Sequence, residues 1–151
     1  MTLTIRRAEP RDAAVVADFN QRLAWETEHK RLDSEVLARG VSKVFTDPAK
    51  GFYLVAESTD AIVGQLMVTY EWSDWRDGWF WWVQSVYVRD DYRRQGVFRS
   101  LFLSMVQQAK AAGNVVGVRL YVERENERAQ ATYAQLGMID PGYFVRELMI
   151  G

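Results

Sequence analysis

Residues 81–105 constrain the fold more than any other stretch of this chain, reading WWVQSVYV, then RDDYRRQGVFRS, then LFLSM. The first piece is aromatic and β-branched, as a strand requires. The second is a polar turn rich in arginine with one glycine, Gly96. The third opens an apolar pattern of helical period through Val97, Leu101 and Met105. A strand that passes straight into a helix leaves unpaired N–H groups at the helix start. Those donors, together with the positive end of the helix dipole, attract phosphate. The rest of the chain is therefore expected to support this turn or to shape a pocket beside it.

The flanking patterns predict alternating element types. Thr2 to Arg6 reads as a short strand, and Glu9-Pro10-Arg11-Asp12 as a helix start. Ala13, Val16, Phe19, Asn20 and Leu23 trace one face of a first helix that ends near Trp25 or Glu28. Asp33-Ser34 caps a second helix, which stops before Pro48. Strands follow at Gly51–Glu57, Ala61–Trp72 and Trp79–Val88, forming an antiparallel meander. After the turn, a third helix runs to Gly113, a strand covers Val115–Val122, a fourth helix covers Asn126–Leu136, and a last strand covers Tyr143–Ile150. This order predicts an α/β (α+β) fold: a mixed, mostly antiparallel sheet of about six to seven strands with four helices on both faces. A chain of 151 residues without repeat or linker is expected to form one domain, 1–151.

Composition excludes several classes. A net charge of −1 argues for no nucleic-acid and no membrane partner. The absence of cysteine removes disulfides, thiol catalysis and thiolate metal sites, and fits a reducing compartment. The N-terminus has no apolar core of a secretory signal, so a cytoplasmic location is expected. No metal is expected.

The turn Arg93-Arg94-Gln95-Gly96-Val97-Phe98 is neither a Walker loop nor a three-glycine dinucleotide fingerprint. Together with Leu120 to Gly137, however, it resembles the GNAT superfamily of acetyl-CoA-dependent N-acyltransferases. The family turn has the form [Q/R]-x-x-G-x-[G/A] after a strand; Arg93 fills the first position and Gly96 the central one. The second signature is matched by Leu120-Tyr121-Val122, Asn126, Ala129, Tyr133 and Gly137. One position departs from the pattern, because Phe98 stands where the family has glycine or alanine. Its ring must point away or lie against the nucleotide.

The resemblance implies acetyl-CoA as co-substrate and an amine as acceptor. It implies that the strand near Val86, Tyr87 and Val88 pairs its backbone with the pantetheine arm, as an added strand would. That needs Val115–Val122 to splay away from it. It also implies that Arg93, Arg94, Gln95, Gly96, Val97, Phe98 and Arg99 surround the pyrophosphate. Asn126, Ala129 and Tyr133 share a helix face at spacings of three, four and seven; Tyr133 is then the acid for the leaving thiolate. Relatives carry a glutamate on the strand before the turn, but Trp79–Val88 holds no carboxylate, only Gln84 and Ser85 at polar positions. Glu71, Glu26, Glu28 or an ordered water relay could serve as base. The relay is preferred, with Glu26 or Glu28 orienting the ammonium. His29 reads as a solvated surface residue.

Five of the six tryptophans lie between Trp72 and Trp82. Alternation puts Trp79 and Trp81 on one sheet face and Trp82 with Gln84 on the other. Core packing, an acceptor pocket for a cationic amine, and a homodimer contact are the readings of this cluster. The acceptor is expected to be a small-molecule amine or amino acid, with Glu26, Glu28, Glu71, Trp82 and Gln84 as candidate contacts.

Overall fold

Five strands form one sheet in spatial order of sequence in the computed structural model, which describes residues 2–151: β1 (Leu3–Arg7), β2 (Phe52–Ser58), β3 (Ala61–Ser73), β4 (Gly78–Val88) and β5 (Val115–Leu120). The first four are antiparallel neighbours, and β5 lies parallel to β4. The helices are α1 (Ala13–Glu28), α2 (Ser34–Thr46), α3 (Val97–Ala112) and α4 (Glu127–Gln135). The mixed architecture with four helices is as the sequence predicts; the sheet has five strands rather than six or seven. Residues 143–150 form no strand. An apolar, alternating segment becomes a strand only where a neighbouring backbone completes its ladder, and YFVRELMI carries the pattern without that ladder. For the same reason β5 stops at Leu120, short of Val122.

The chain divides into two compact units, Met1–Leu120 and Tyr121–Gly151. In the first, register assigns the sheet faces. Tyr53 is opposite Met67, and both pack with Val16 of α1 and with Val41 and Val44 of α2. Ala56 is opposite Gly64 on the other face, where a side chain at Gly64 would collide with Val97 and Leu101 of α3. So α1 and α2 cover one face and α3 the other. Leu54, Leu66, Leu101 and Met105 are fully enclosed between sheet and helices. Each such side chain contributes roughly 1.5–3 kcal/mol when removed from water.

The helix starts follow the local sequence. A single 3-10 turn at Pro10–Asp12 precedes α1, with Glu9 and Asp12 bonded reciprocally in a capping box. Arg6 anchors this turn through Asp12, at 2.8 Å. Asp33 accepts bonds from the Glu35 and Val36 N–H groups at the head of α2. In the second unit, the Asn126 side chain caps α4 by accepting from the Ala129 N–H at 3.0 Å. Gly137, at φ 92°, ends that helix with its N–H on the Ala134 carbonyl. No helix among the described residues is long and apolar enough to cross a membrane.

Candidate functional site

Strand β4 is paired on both sides for only part of its length. The β4–β5 ladder runs from Trp79↔Val115 to Val83↔Leu120, and β4 then continues to Val88 paired with β3 alone. The β4–β5 ladder thus ends at Val83, where β5 itself ends. Beyond it a bulge shifts the β3–β4 register between Gln65 and Met67. Ser85, inside that bulge, has φ 50°. A non-glycine residue in the left-handed region costs about 1–2 kcal/mol. Part of this is offset from below, because the fully buried Gln65 donates its amide N–H to the Ser85 carbonyl at 3.0 Å. The Gln65 amide oxygen has no partner among the described residues.

Past the bulge, the Arg89 N–H donates to the Val63 carbonyl, so Gly64↔Val88 is the non-hydrogen-bonded kind of antiparallel pair. The N–H and C=O of Val88 therefore point away from β3. On that side the Val88 carbonyl accepts from Arg93 Nε, and the Val88 N–H faces the same way.

This edge leads into the arginine turn. A 3-10 turn at Asp90–Tyr92 is followed by Arg94 at φ 62° and by Gly96 at φ 82° as the N-cap of α3. A side chain at Gly96 would meet no atom within 4 Å, so the space above the turn is open. No side chain caps α3, and its first backbone bond is from the Ser100 N–H to the Gly96 carbonyl. The N–H groups of Val97 and Arg99 precede that bond, at a helix start of the kind that attracts anions. The Phe98 ring packs on Phe102, with centroids 5.9 Å apart. Arg94 and Arg99 make no ion pair among the described residues.

Arg93 behaves differently. Its Nε donates to the Val88 carbonyl at 2.8 Å, and its terminal nitrogen pairs with Glu26 Oε1 at 2.7 Å. The other Glu26 oxygen accepts from the Tyr87 hydroxyl at 2.5 Å. Burial opposes charge on Glu26, but the bonds from Tyr87 and Arg93 outweigh it and hold the carboxyl below its ordinary value. Burial and the adjacent carboxylate push the Tyr87 hydroxyl up. Glu28 lies two residues further on, exposed, near Lys30 at 3.7 Å.

On the α1–α2 face, Thr69, Glu71, Trp82 and Gln84 cluster with Arg119 of β5. Trp82 Nε1 and Arg119 both donate to Glu71 Oε1, at 2.7 and 3.0 Å, and Gln84 donates to Thr69 Oγ1 at 2.5 Å. The Arg119 guanidinium also lies 3.6 Å from the Phe80 ring centre. Trp79 and Trp81 occupy the opposite face, Trp79 against Trp72 and Trp81 against Phe52 and Tyr70. At the hairpin tip Trp75 is 85% exposed. In the second unit Tyr133 is partly buried on α4, and burial pushes its hydroxyl pKa up, keeping it protonated at neutral pH. Asn126 and Ala129 are joined by the cap bond of that helix. No group of three or more His, Cys, Asp or Glu among the described residues could hold a metal ion.

Two partnerships escaped sequence reasoning: the Tyr87 hydroxyl on Glu26, and Gln65 beneath the bulge. Gln65 had a visible signal, a lone amide in the apolar run AIVGQLMV. Tyr87 had none, because its partner lies 61 residues away.

A strand paired on one side only past Val83 runs into an uncapped, glycine-led helix. The model of the acetyltransferase (GNAT) family matches residues 13–138. The chain belongs to that family. Among solved structures, a possible acetyltransferase from Clostridium difficile 630 is 46% identical, with 99% of each chain covered and a TM-score of 0.92. A predicted acetyltransferase with acetyl-CoA from Clostridium acetobutylicum shares the fold at 16% identity, covering 97% of this chain and 96% of that one, TM-score 0.81. So does the ribosomal-protein-alanine N-acetyltransferase from Brucella melitensis biovar Abortus 2308, at 17% identity, 99% and 100% coverage, TM-score 0.79. A search of curated proteins finds no match.

Proposed function

We propose that this chain transfers an acetyl group from acetyl-CoA to the primary amine of a small molecule or amino acid by direct attack. The observation that carries this reading is the continuity of two donor sets. The one-sided stretch of β4, with the Val88 N–H directed away from β3, leads through the turn to the N–H groups of Val97 and Arg99 at the uncapped start of α3. The first suits the amides of a pantetheine arm and the second its pyrophosphate. Arg94 and Gln95 border the same turn, with Arg94 and Arg99 supplying positive charge toward phosphate.

In the reaction the amine nitrogen attacks the thioester carbonyl, the C–S bond breaks, and the thiolate takes a proton. Tyr133 is the proposed donor of that proton, with Asn126 and Ala129 on its helix face lining the arm's path. The proton lost by the amine passes to an ordered water, since β4 offers no carboxylate. Glu71, Trp82 and Gln84 are proposed to receive the acceptor, where an aromatic face and a carboxylate favour an ammonium group. Glu28, exposed at the end of α1, is a further candidate for orienting that ammonium.

The test is thiol release from acetyl-CoA across a panel of amines and amino acids. Release that depends on the acceptor supports the proposal. Acetyl-CoA binding with no release for any acceptor points instead to an acyl-CoA-binding module without turnover, the reading favoured by the missing β4 carboxylate. Tyr133→Phe is expected to lower kcat by about 10²-fold, the lower bound for loss of a positioned acid, with acetyl-CoA binding retained. Unchanged turnover removes Tyr133 from the mechanism.

A further inference from the structure

We infer that Glu26 is a positioning residue for the cofactor turn, clasping Tyr87 and Arg93 so that the open end of β4 and the start of the turn are held by α1. The inference rests on the acetyl-CoA reading of the turn, and assigns Arg93 to the protein rather than to phosphate.

The clasp is built from three elements. Glu26 comes from the last turn of α1, Tyr87 from the open end of β4, and Arg93 from the turn itself. Both Glu26 oxygens are engaged, one by each partner. Arg93 closes the loop on itself by also capping the Val88 carbonyl, and its guanidinium lies 5.3 Å from the Tyr87 ring centre. Tyr87 is buried, with its ring 5.1 Å from Phe19 of α1. The hydroxyl therefore cannot turn to water without unpacking that contact.

A section of β4 paired on one side only needs such an anchor. Gln65 holds the bulge at Ser85, and the β3–β4 bonding ends with the Arg89 N–H on the Val63 carbonyl. From there the chain passes through a single 3-10 turn before Arg94 and Gly96, both in the left-handed region. Arg94, the non-glycine residue of the two, persists there only where its surroundings over-determine it. Here the surroundings are the Arg93 bonds. With Arg93 committed to Glu26, and Arg89 to Asp91 at 2.8 Å, the arginines left to face an anion are Arg94 and Arg99.

Three variants decide this: Glu26→Gln, Arg93→Gln and the double variant. Amide hydrogen exchange of residues 86–99 is read without ligand, and acetyl-CoA KM and kcat are read with the amine that supports release. The clasp predicts that Glu26→Gln speeds exchange in 86–99 relative to the rest of the sheet. It also predicts a KM raised about tenfold, the scale of one lost charge-assisted bond, with kcat within about twofold. The double variant is no worse than Glu26→Gln alone, because the two residues act as one unit. Unchanged exchange in Glu26→Gln overturns the proposal. So does a KM increase for Arg93→Gln that multiplies with that of Glu26→Gln, since Arg93 would then meet phosphate directly. If the wild type releases no thiol with any amine, the acetyltransferase reading fails while the exchange data still decide the clasp.

Discussion

The two halves of β4 are built from the same kind of sequence yet do opposite work. Trp79–Val83 is paired on both sides, with Trp81 and Val83 buried and Trp79 stacked on Trp72. Gln84–Val88 is paired on one side, bulged, and tied down by side chains rather than by a second ladder. A strand with two neighbours has spent its hydrogen bonds on the protein. A strand with one neighbour keeps a row of donors and acceptors for a ligand, and must be held in place by other means. In this chain those means are Gln65 under the bulge and Glu26 beside the turn.

The sharpest way to break the comparison is at the paired half. Trp81→Ala is expected to cost about 3–5 kcal/mol of stability, the scale for removing a large buried aromatic. Urea unfolding measures this, and the folded fraction should keep its acetyl-CoA KM. A loss below 1 kcal/mol, or a KM that rises with it, shows that the two halves are not separable.

A smaller effect is expected at the open half. Gln65→Leu removes the bond to Ser85 but also removes a buried amide oxygen that has no partner. These changes oppose each other, so stability should move by less than about 1 kcal/mol. The loosened bulge should raise acetyl-CoA KM about fivefold, the equivalent of one neutral hydrogen bond. Calorimetric melting alongside steady-state kinetics separates the two. A stability loss without a KM change contradicts a role for Gln65 at the edge.

The smallest effect is in pH. The folded Glu26 carboxyl lies below its ordinary value because the bonds from Tyr87 and Arg93 outweigh its burial. A depressed carboxyl contributes stability above its unfolded pKa, about 4.3, and loses it as pH falls through the folded value. Amide protection at 86–93, corrected for intrinsic exchange, should therefore decline below about pH 4, while protection at Trp79–Val83 holds. Glu26→Gln should abolish that local decline. Equal loss of protection in both halves would refute the contrast.

Much of this was legible in the chain. The period of Val97, Leu101 and Met105, the cap at Asp33 and the glycine after α3 are local signals, and each sits where the pattern places it. The same holds for the turn: Arg93 and Gly96 at their spacing, with Asn126, Ala129, Tyr133 and Gly137 beyond, identify the family before any coordinate is known. Those features depend on neighbours within a few residues, so sequence spacing is enough to read them.

What only the tertiary structure decided involves partners far apart in the chain. YFVRELMI has the alternation of a strand, but a ladder is made by another backbone, and residues 143–150 have none. The Phe98 ring packs on Phe102 of its own helix, a contact the turn motif does not show. Arg93 fills a family position by sequence, yet its charge is committed to Glu26, which lies 67 residues away. Local propensity and spacing determine the elements and the motif. Pairing across the sheet and the closing of a carboxylate on two distant donors determine which backbone groups and which arginines remain for a ligand, because hydrogen bonds and charges are satisfied in space rather than along the chain.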